Sequence, residues 1–181
     1  MEIPDITNAK TILRKRMRLL LKQSRTDDGR VRAAVRAFLD ELAPGTTIAG
    51  YAALPGEVDL LGLIDSSHQW VLPRVSGNRL IFHRITDPTK DLRPGAFGIR
   101  EPETTLPTIP ESEIRIFLCP GLAFDPKGGR LGRGRGFYDR TLENARPDSL
   151  KVGICRPSQL VDDTFSEVHD IRMDRVISGE I

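Results

Sequence analysis

The sequence predicts an α/β fold: a single-domain three-layer sandwich with a mostly parallel central sheet flanked by helices, Rossmann-like in plan. Three observations predict it. Stretches of helical apolar period alternate along the 181 residues with short strand-like runs. Ile114 to Cys119 (IRIFLC) is short and apolar, and it is followed at once by Pro120 and Gly121, the pattern of a central buried strand. Beyond that strand's carboxyl end comes a run of glycine and arginine, RLGRGRGFYD at 130–139, and ligands of open α/β sheets bind outside the carboxyl ends of strands.

The elements follow in order. Residues 8–23 read as a helix with Ile12, Leu13, Met17, Leu20 and Leu21 on one face and Thr7 or Asn8 as its cap, while Lys10, Arg14, Arg18 and Lys22 recur every four residues in a cationic row. A second helix follows Asp27 and Asp28, presents Val31, Ala34, Val35, Phe38, Leu39 and Leu42, and ends at Pro44 and Gly45. Thr46 to Ala52 is a first strand, and LPGEVD turns it into a short helix through Leu60, Leu61 and Ile64. Strands are expected at 69–73 and 80–85, a loop rich in Pro and Gly at 91–102, a helix from Phe137 to Ala145, and strands at 151–155 and 175–178. The irregular segments 86–112 and 120–136 are longer than ordinary connections, as functional loops often are.

The formal charge of +2 conceals an asymmetry. Residues 1–36 hold ten Lys/Arg against four Asp/Glu, whereas the remainder holds seventeen against twenty-one. The basic charge is local, which points to a local anionic ligand. The opening MEIPDITNAK is acidic and polar, and no apolar run nears the roughly 20 residues of a membrane span, so a cytoplasmic protein without a membrane partner is expected. Cys119 and Cys155 have neither zinc spacing nor disulfide density and read as buried thiols.

The run at 130–139 has the composition of a phosphate site. Glycines let backbone N–H groups approach an anion, arginines supply planar forks, and a helix starting near Gly136 would aim its positive end there. Spacing alone is weak, because neither GxxxxGK[ST] nor GxGxxG is present, and RGRG also suits an RNA-binding segment or a polar turn. Asp139 is a helix-end carboxylate or a magnesium ligand, with Asp170 and Asp174 as candidate partners. Glu57 is either a cap or an acceptor for a nitrogen-rich heterocycle.

Together these residues resemble the 5-formyltetrahydrofolate cyclo-ligase family. The resemblance rests on Lys10 and Arg14, YAALPGEVD at 51–59, PGAFGIREP at 94–102, PGLAFDPKGGRLGRGRGFYDR at 120–140 and HDIRMDRVI at 169–177, in the family's order. It implies an ATP- and magnesium-dependent ligase converting 5-formyltetrahydrofolate to 5,10-methenyltetrahydrofolate, a monomer with a reduced folate as partner and no nucleic acid. By motif, Lys10, Arg14, Arg130, Leu131, Gly132, Arg133, Gly134, Arg135, Gly136, Phe137 and Tyr138 would meet ATP. Ala52, Glu57 and residues 133–137 would meet the folate. Asp139 and Asp174 would hold magnesium, and Arg14, Arg133 and Tyr138 would serve catalysis. Two positions depart from the family pattern: Arg135 stands where Gly or Lys is usual, and Phe137 replaces the first of a tyrosine pair.

Overall fold

Side-chain alternation along short strands needs two covered faces, and the computed structural model, which describes residues 6–23, 28–95 and 98–179, supplies both. In chain order the strands are Thr47–Ala49 (β1), Gln69–Ser76 (β2), Arg79–Ile85 (β3), Leu92–Pro94 (β4), Arg100–Pro102 (β5), Thr108–Ile109 (β6), Ile116–Pro120 (β7), Ala123–Phe124 (β8), Arg130–Leu131 (β9), Leu150–Ile154 (β10) and Arg175–Ile177 (β11). The helices are Ile6–Gln23 (α1), Gly29–Asp40 (α2), Pro88–Asp91 (α3) and Phe137–Leu142 (α4). Seven strands form the central sheet in the order β11-β10-β7-β1-β2-β3-β6. The first five are mutually parallel, β3 pairs antiparallel with β2, and β6 pairs antiparallel with β3.

Neighbouring residues of each strand face opposite layers. Ile48, Trp70, Leu118 and Val152 point to a face covered by Val31, Val35, Phe38 and Leu39 of α2. Ala49, Val71, Phe117 and Cys119 point the other way, against Phe124, Leu142 of α4 and Met173. Helix α1 covers neither face. Its Leu13 and Met17 pack on Leu122, Ala123 and Leu131, around the small β8–β9 pair. That leaves Ile12, placed in the apolar face by periodicity, 61% exposed.

Several boundaries differ from the sequence expectation. Thr7 and Asn8 lie inside α1 rather than at its cap, and the strand expected over 46–52 is reduced to β1. The helix expected through Leu60, Leu61 and Ile64 is a single 3-10 turn, Leu61–Leu63, with Gly62 at its centre. Asp59 and Asp65 bond the backbone N–H groups of Leu61 and Ser67 in turns on either side, leaving no room for propagation. The segment 86–112 contains α3, the β4–β5 pair and β6, and 120–136 contains β8 and β9. These strands of two or three residues are too short for alternation to register in sequence. Helix α4 stops at Leu142, short of Ala145. Asp27, Ala96 and Phe97, which belong to the sequence expectations, lie outside the described residues.

Candidate active site

The carboxyl ends of β1 and β7 open beneath α1, and there a cavity of about 690 Å³ is lined by residues from seven stretches of chain. Helix α1 contributes Lys10, Arg14 and Arg18, the loop after β1 contributes Ala52 and Glu57, and the segment 130–139 contributes every residue from Arg130 to Asp139. Glu101 of β5 and the stretch with Glu167, His169 and Asp170 complete the wall. The cationic row of α1 thus faces the glycine run. Arg14 Nε donates to Gly132 O at 3.1 Å, and an Arg18 guanidinium N–H donates to Arg133 O at 3.1 Å.

The loop's chain path depends on glycine at two points. Gly134 and Gly136 have φ of +98° and +66°, in the left-handed region that favours glycine, and a Cβ on Gly136 would stand 2.7 Å from the Arg140 guanidinium. Gly136 passes the chain into α4. That helix has only six residues, so the cationic side chains around the cavity, rather than a helix terminus, supply most of its positive potential.

Arg130 is the most buried of the cations facing the cavity from the loop. Its side chain is 5% exposed, pairs with Asp139 at 3.6 Å, donates to Pro120 O at 3.2 Å and lies over the Tyr138 ring at 5.1 Å. Its Nε is buried with no hydrogen-bond partner, an uncommon state for a guanidinium and one that an incoming anion would relieve. Arg133 bridges to the opposite wall, where its Nε donates to Glu57 Oε1 at 3.0 Å and a terminal nitrogen donates to Pro55 O at 3.0 Å. Arg130 and Arg133 are therefore built into the wall, whereas an RNA-binding RGRG segment would display them outward.

Glu57 also accepts from Leu54 N–H at 2.9 Å, yet burial outweighs this bond and the arginines and raises its carboxyl above the ordinary value. Burial likewise pushes the Tyr138 and Tyr51 phenols well above their usual range, which leaves both as neutral hydroxyls at pH 7. Cys119 is fully buried and its thiol is pushed up to about 12, so it supplies no thiolate.

Lys10 is 7% exposed, and its ammonium sits between Glu167 at 2.5 Å and Asp170 at 2.6 Å. Burial alone would lower the Lys10 pKa, but the bonds to Asp170 and Glu167 more than reverse this and raise it. Burial would raise Asp170, but Glu167 N–H and Lys10 hold it below the usual carboxylate value. With His169, these two acids form the one group of three potential metal ligands among the described residues.

Of the residues singled out in the sequence, Lys10, Arg14, Ala52, Glu57 and 130–139 converge on the cavity, and Asp174 does not. Asp174 Oδ2 accepts Lys151 N–H at 2.8 Å, its side chain is 46% exposed, and it borders a separate surface hollow with Asp125 and Lys127. Asp170 ends the turn at 168–170 on the cavity, whereas Asp174 stands immediately before β11. Of the two candidates Asp170 and Asp174, it is therefore Asp170 that shares the cavity with Asp139, whose Oδ1 takes Ile171 N–H at 3.3 Å. Glu101, Glu167 and Tyr51 also line the cavity and were not marked by any spacing; only the position of Glu101 inside GIREP and of Tyr51 beside LPGEVD offered a hint.

Fold and cavity define an α/β protein whose glycine- and arginine-rich loop and acidic cluster meet at the carboxyl end of a parallel sheet. The chain belongs to the 5-formyltetrahydrofolate cyclo-ligase family, whose model it matches over residues 6–179. It is 34% identical over 155 residues to the 5-formyltetrahydrofolate cyclo-ligase of Mycolicibacterium smegmatis, covering 80% of each chain. With that of Escherichia coli K12 it shares 29% over 176 residues, 92% of this chain and 96% of the other. Its structure resembles the NMR structure of Aquifex aeolicus 5,10-methenyltetrahydrofolate synthetase, with a TM-score of 0.79, 30% identity, and coverage of 95% and 90%. No helix among the described residues is long and apolar enough to cross a membrane.

Proposed function

We propose that this protein closes the 5-formyl group of tetrahydrofolate onto the neighbouring anilino nitrogen, consuming ATP and producing 5,10-methenyltetrahydrofolate, ADP and phosphate. The observation that carries the reading is the convergence of the α1 cations, the 130–139 loop and Glu57 on one cavity in a chain of the cyclo-ligase family. A formamide is a poor electrophile, and phosphorylation of its oxygen converts that oxygen into a leaving group. The formyl oxygen attacks the terminal phosphorus and ADP departs; the anilino nitrogen then attacks the formyl carbon and gives up its proton, and phosphate leaves. The protein's part is to align the partners and offset charge.

Lys10, Arg14 and Arg130 fit the phosphate chain, since Arg130 Nε is buried without a partner and Arg14 already lies on Gly132 O. Arg133, between Glu57 and the glycines, is positioned to sense both ligands, and the Tyr138 ring lies under the Arg130 guanidinium. Glu57 and Ala52 fit the folate end, where a carboxylate accepts N–H groups of a nitrogen-rich ring. Magnesium suits the other end: Asp139 and Asp170 are hard oxygen donors, and the Lys10 ammonium between Asp170 and Glu167 stands where a cation is favoured. When bound, the metal would neutralise phosphate charge. Incubation of pure protein with 5-formyltetrahydrofolate and Mg-ATP is expected to raise absorbance near ~360 nm, the band of the conjugated methenyl product. Absence of ATP-dependent product overturns the reading.

A further inference from the structure

The loop that carries Glu57 has no sheet or helix to fix it. Residues 53–58 form no regular element; within them Leu54 and Glu57 close a turn, Glu57 N–H on Leu54 O and Leu54 N–H on the Glu57 carboxylate, both at 2.9 Å, and the Tyr51 hydroxyl donates to Val58 O at 2.9 Å. A carboxylate on such a segment keeps its place only if side chains from elsewhere hold the backbone. From the cavity side, Arg133 holds Pro55 O and the Glu57 carboxylate. From behind, a second guanidinium reaches the same loop, and it lies outside the cavity lining.

We propose that Arg156 is a positioning residue for Glu57, fixing from behind the loop that presents this carboxylate to the folate; the proposal rests on the function given above. Arg156 stands just past the end of β10 and is 9% exposed. One terminal nitrogen donates to Gly56 O at 2.5 Å, and the other donates to Glu57 O at 3.3 Å. Nε and that second terminal nitrogen also take Asp28 as a fork, at 2.7 and 3.0 Å. One plane thus ties three backbone and side-chain groups, which an ammonium on a flexible stem does not reproduce. The Asp28 charge balances the buried guanidinium, so the clamp adds little net field to the cavity.

Asp28 supplies the second observation. It occupies the N-cap position of α2, where a carboxylate ordinarily accepts a backbone N–H of the first turn, yet its side chain makes no capping bond. The acid is turned away from its own helix to hold Arg156. A local rule of helix stability is set aside, as happens where a site needs the group for something else. The strut continues through the Arg156 backbone N–H, which donates to Gln159 Oε1 at 2.9 Å, and Gln159 Nε2 donates to Gly121 O at 2.8 Å, on the opposite cavity wall. At the loop itself, Gly56 has φ of +92° and sits against Leu21 of α1, where a Cβ would stand 3.2 Å from Leu21 Cβ. The Glu57 backbone is therefore held between α1, Arg133 and Arg156.

The test compares Arg156→Lys and Asp28→Asn with Arg36→Ala. Arg36 is a control of like construction: it pairs with Asp65 at 2.6 Å and donates to Leu63 O at 2.8 Å, tying α2 to the neighbouring turn but not to residues 54–57. Two readouts are taken on the full chain, steady-state kinetics with each substrate and amide hydrogen exchange over 53–58. Arg156→Lys is expected to raise KM for 5-formyltetrahydrofolate about tenfold, with KM for ATP within about twofold, and to speed exchange in the loop. Asp28→Asn shifts both readouts the same way by less, and it serves alone if the lysine variant does not fold. Arg36→Ala lowers Tm and leaves both readouts unchanged. If the Arg156 and Asp28 variants lose only Tm, with folate KM and loop exchange matching the Arg36 variant, the proposal is overturned. A wild-type protein without turnover removes the proposed function instead, and loop exchange then decides on its own whether Arg156 holds Glu57.

Discussion

At one end of the cavity a lysine lies between two carboxylates, and at the other an arginine lies against one. The two arrangements look alike and respond oppositely to burial. Around Lys10 the partners outweigh desolvation, so the lysine is held charged and Asp170 is held ionised. Around Glu57 desolvation wins over Leu54 N–H and Arg133, and the carboxyl is left with a raised pKa. The Lys10 end is a satisfied cluster, in which a new cation must displace a resident one. The Glu57 end is under-compensated, and each further donor brought by a ligand is worth more there.

The largest effect is expected where ligand charge has no substitute. Arg14→Ala and Asp139→Ala should each lower kcat on the order of 10²–10³-fold, the scale of losing a preorganised charge partner. Their Tm should move by no more than about 2 °C, since both side chains are only partly buried. Parallel loss of Tm and turnover, followed by circular dichroism and the methenyl assay, would instead give these residues a structural role. Next in size is Glu57→Gln, expected to reduce kcat/KM for the folate about 10- to 100-fold, the cost of weakening charge-assisted bonds in a buried site. The sign of its pH dependence follows from the raised pKa: as pH falls through that value Glu57 gains a proton and ceases to be a pure acceptor. Wild-type kcat/KM therefore declines at a pH above the ordinary 4.5, and the glutamine variant lacks that acid limb. A limb that persists in the variant would assign it to another group.

The smallest contrast sharpens the metal end. Asp170→Asn should raise the magnesium concentration for half-maximal activity about tenfold, and Asp174→Asn should leave it within about twofold. The reverse order would restore Asp174 as the ligand. Asp170→Asn also removes a partner of Lys10, and because the Asp170 pKa is depressed, that stabilisation is present above pH 3.8 and fades as pH falls through the lower folded-state value. The Tm gap between wild type and variant should close in that acid range.

What the sequence made legible was whatever is written in contiguous or regularly spaced letters. Lys10, Arg14 and Arg18 fall every four residues, and RLGRGRGFYD is unbroken, so the sequence alone suggests both for a single anionic ligand. The parallel core was legible for the same reason, through IRIFLC and the apolar stripe of α2. Asp170 and Asp174 differ by four positions across an irregular turn, and no periodicity tells which side faces the cavity. Glu101 reached the wall through β4 and β5, strands whose prolines, with Gly95 and Gly98 between them, read as loop. Arg156 and Asp28 are 128 positions apart, and pairs at that separation leave no local signature.

That helix α1 packs on the β8–β9 pair also dictates an order of assembly. On the ribosome α1 emerges before its partners: the residues that Leu13 and Met17 cover are made only at 122–131, and the acids that take Lys10 come 157 and 160 residues after it. Its amphipathic face must wait, exposed, while β1, β2 and β7 are synthesised. The cavity wall is consequently completed late relative to α1, when residues 122–131 and 167–170 close over a helix translated well before them.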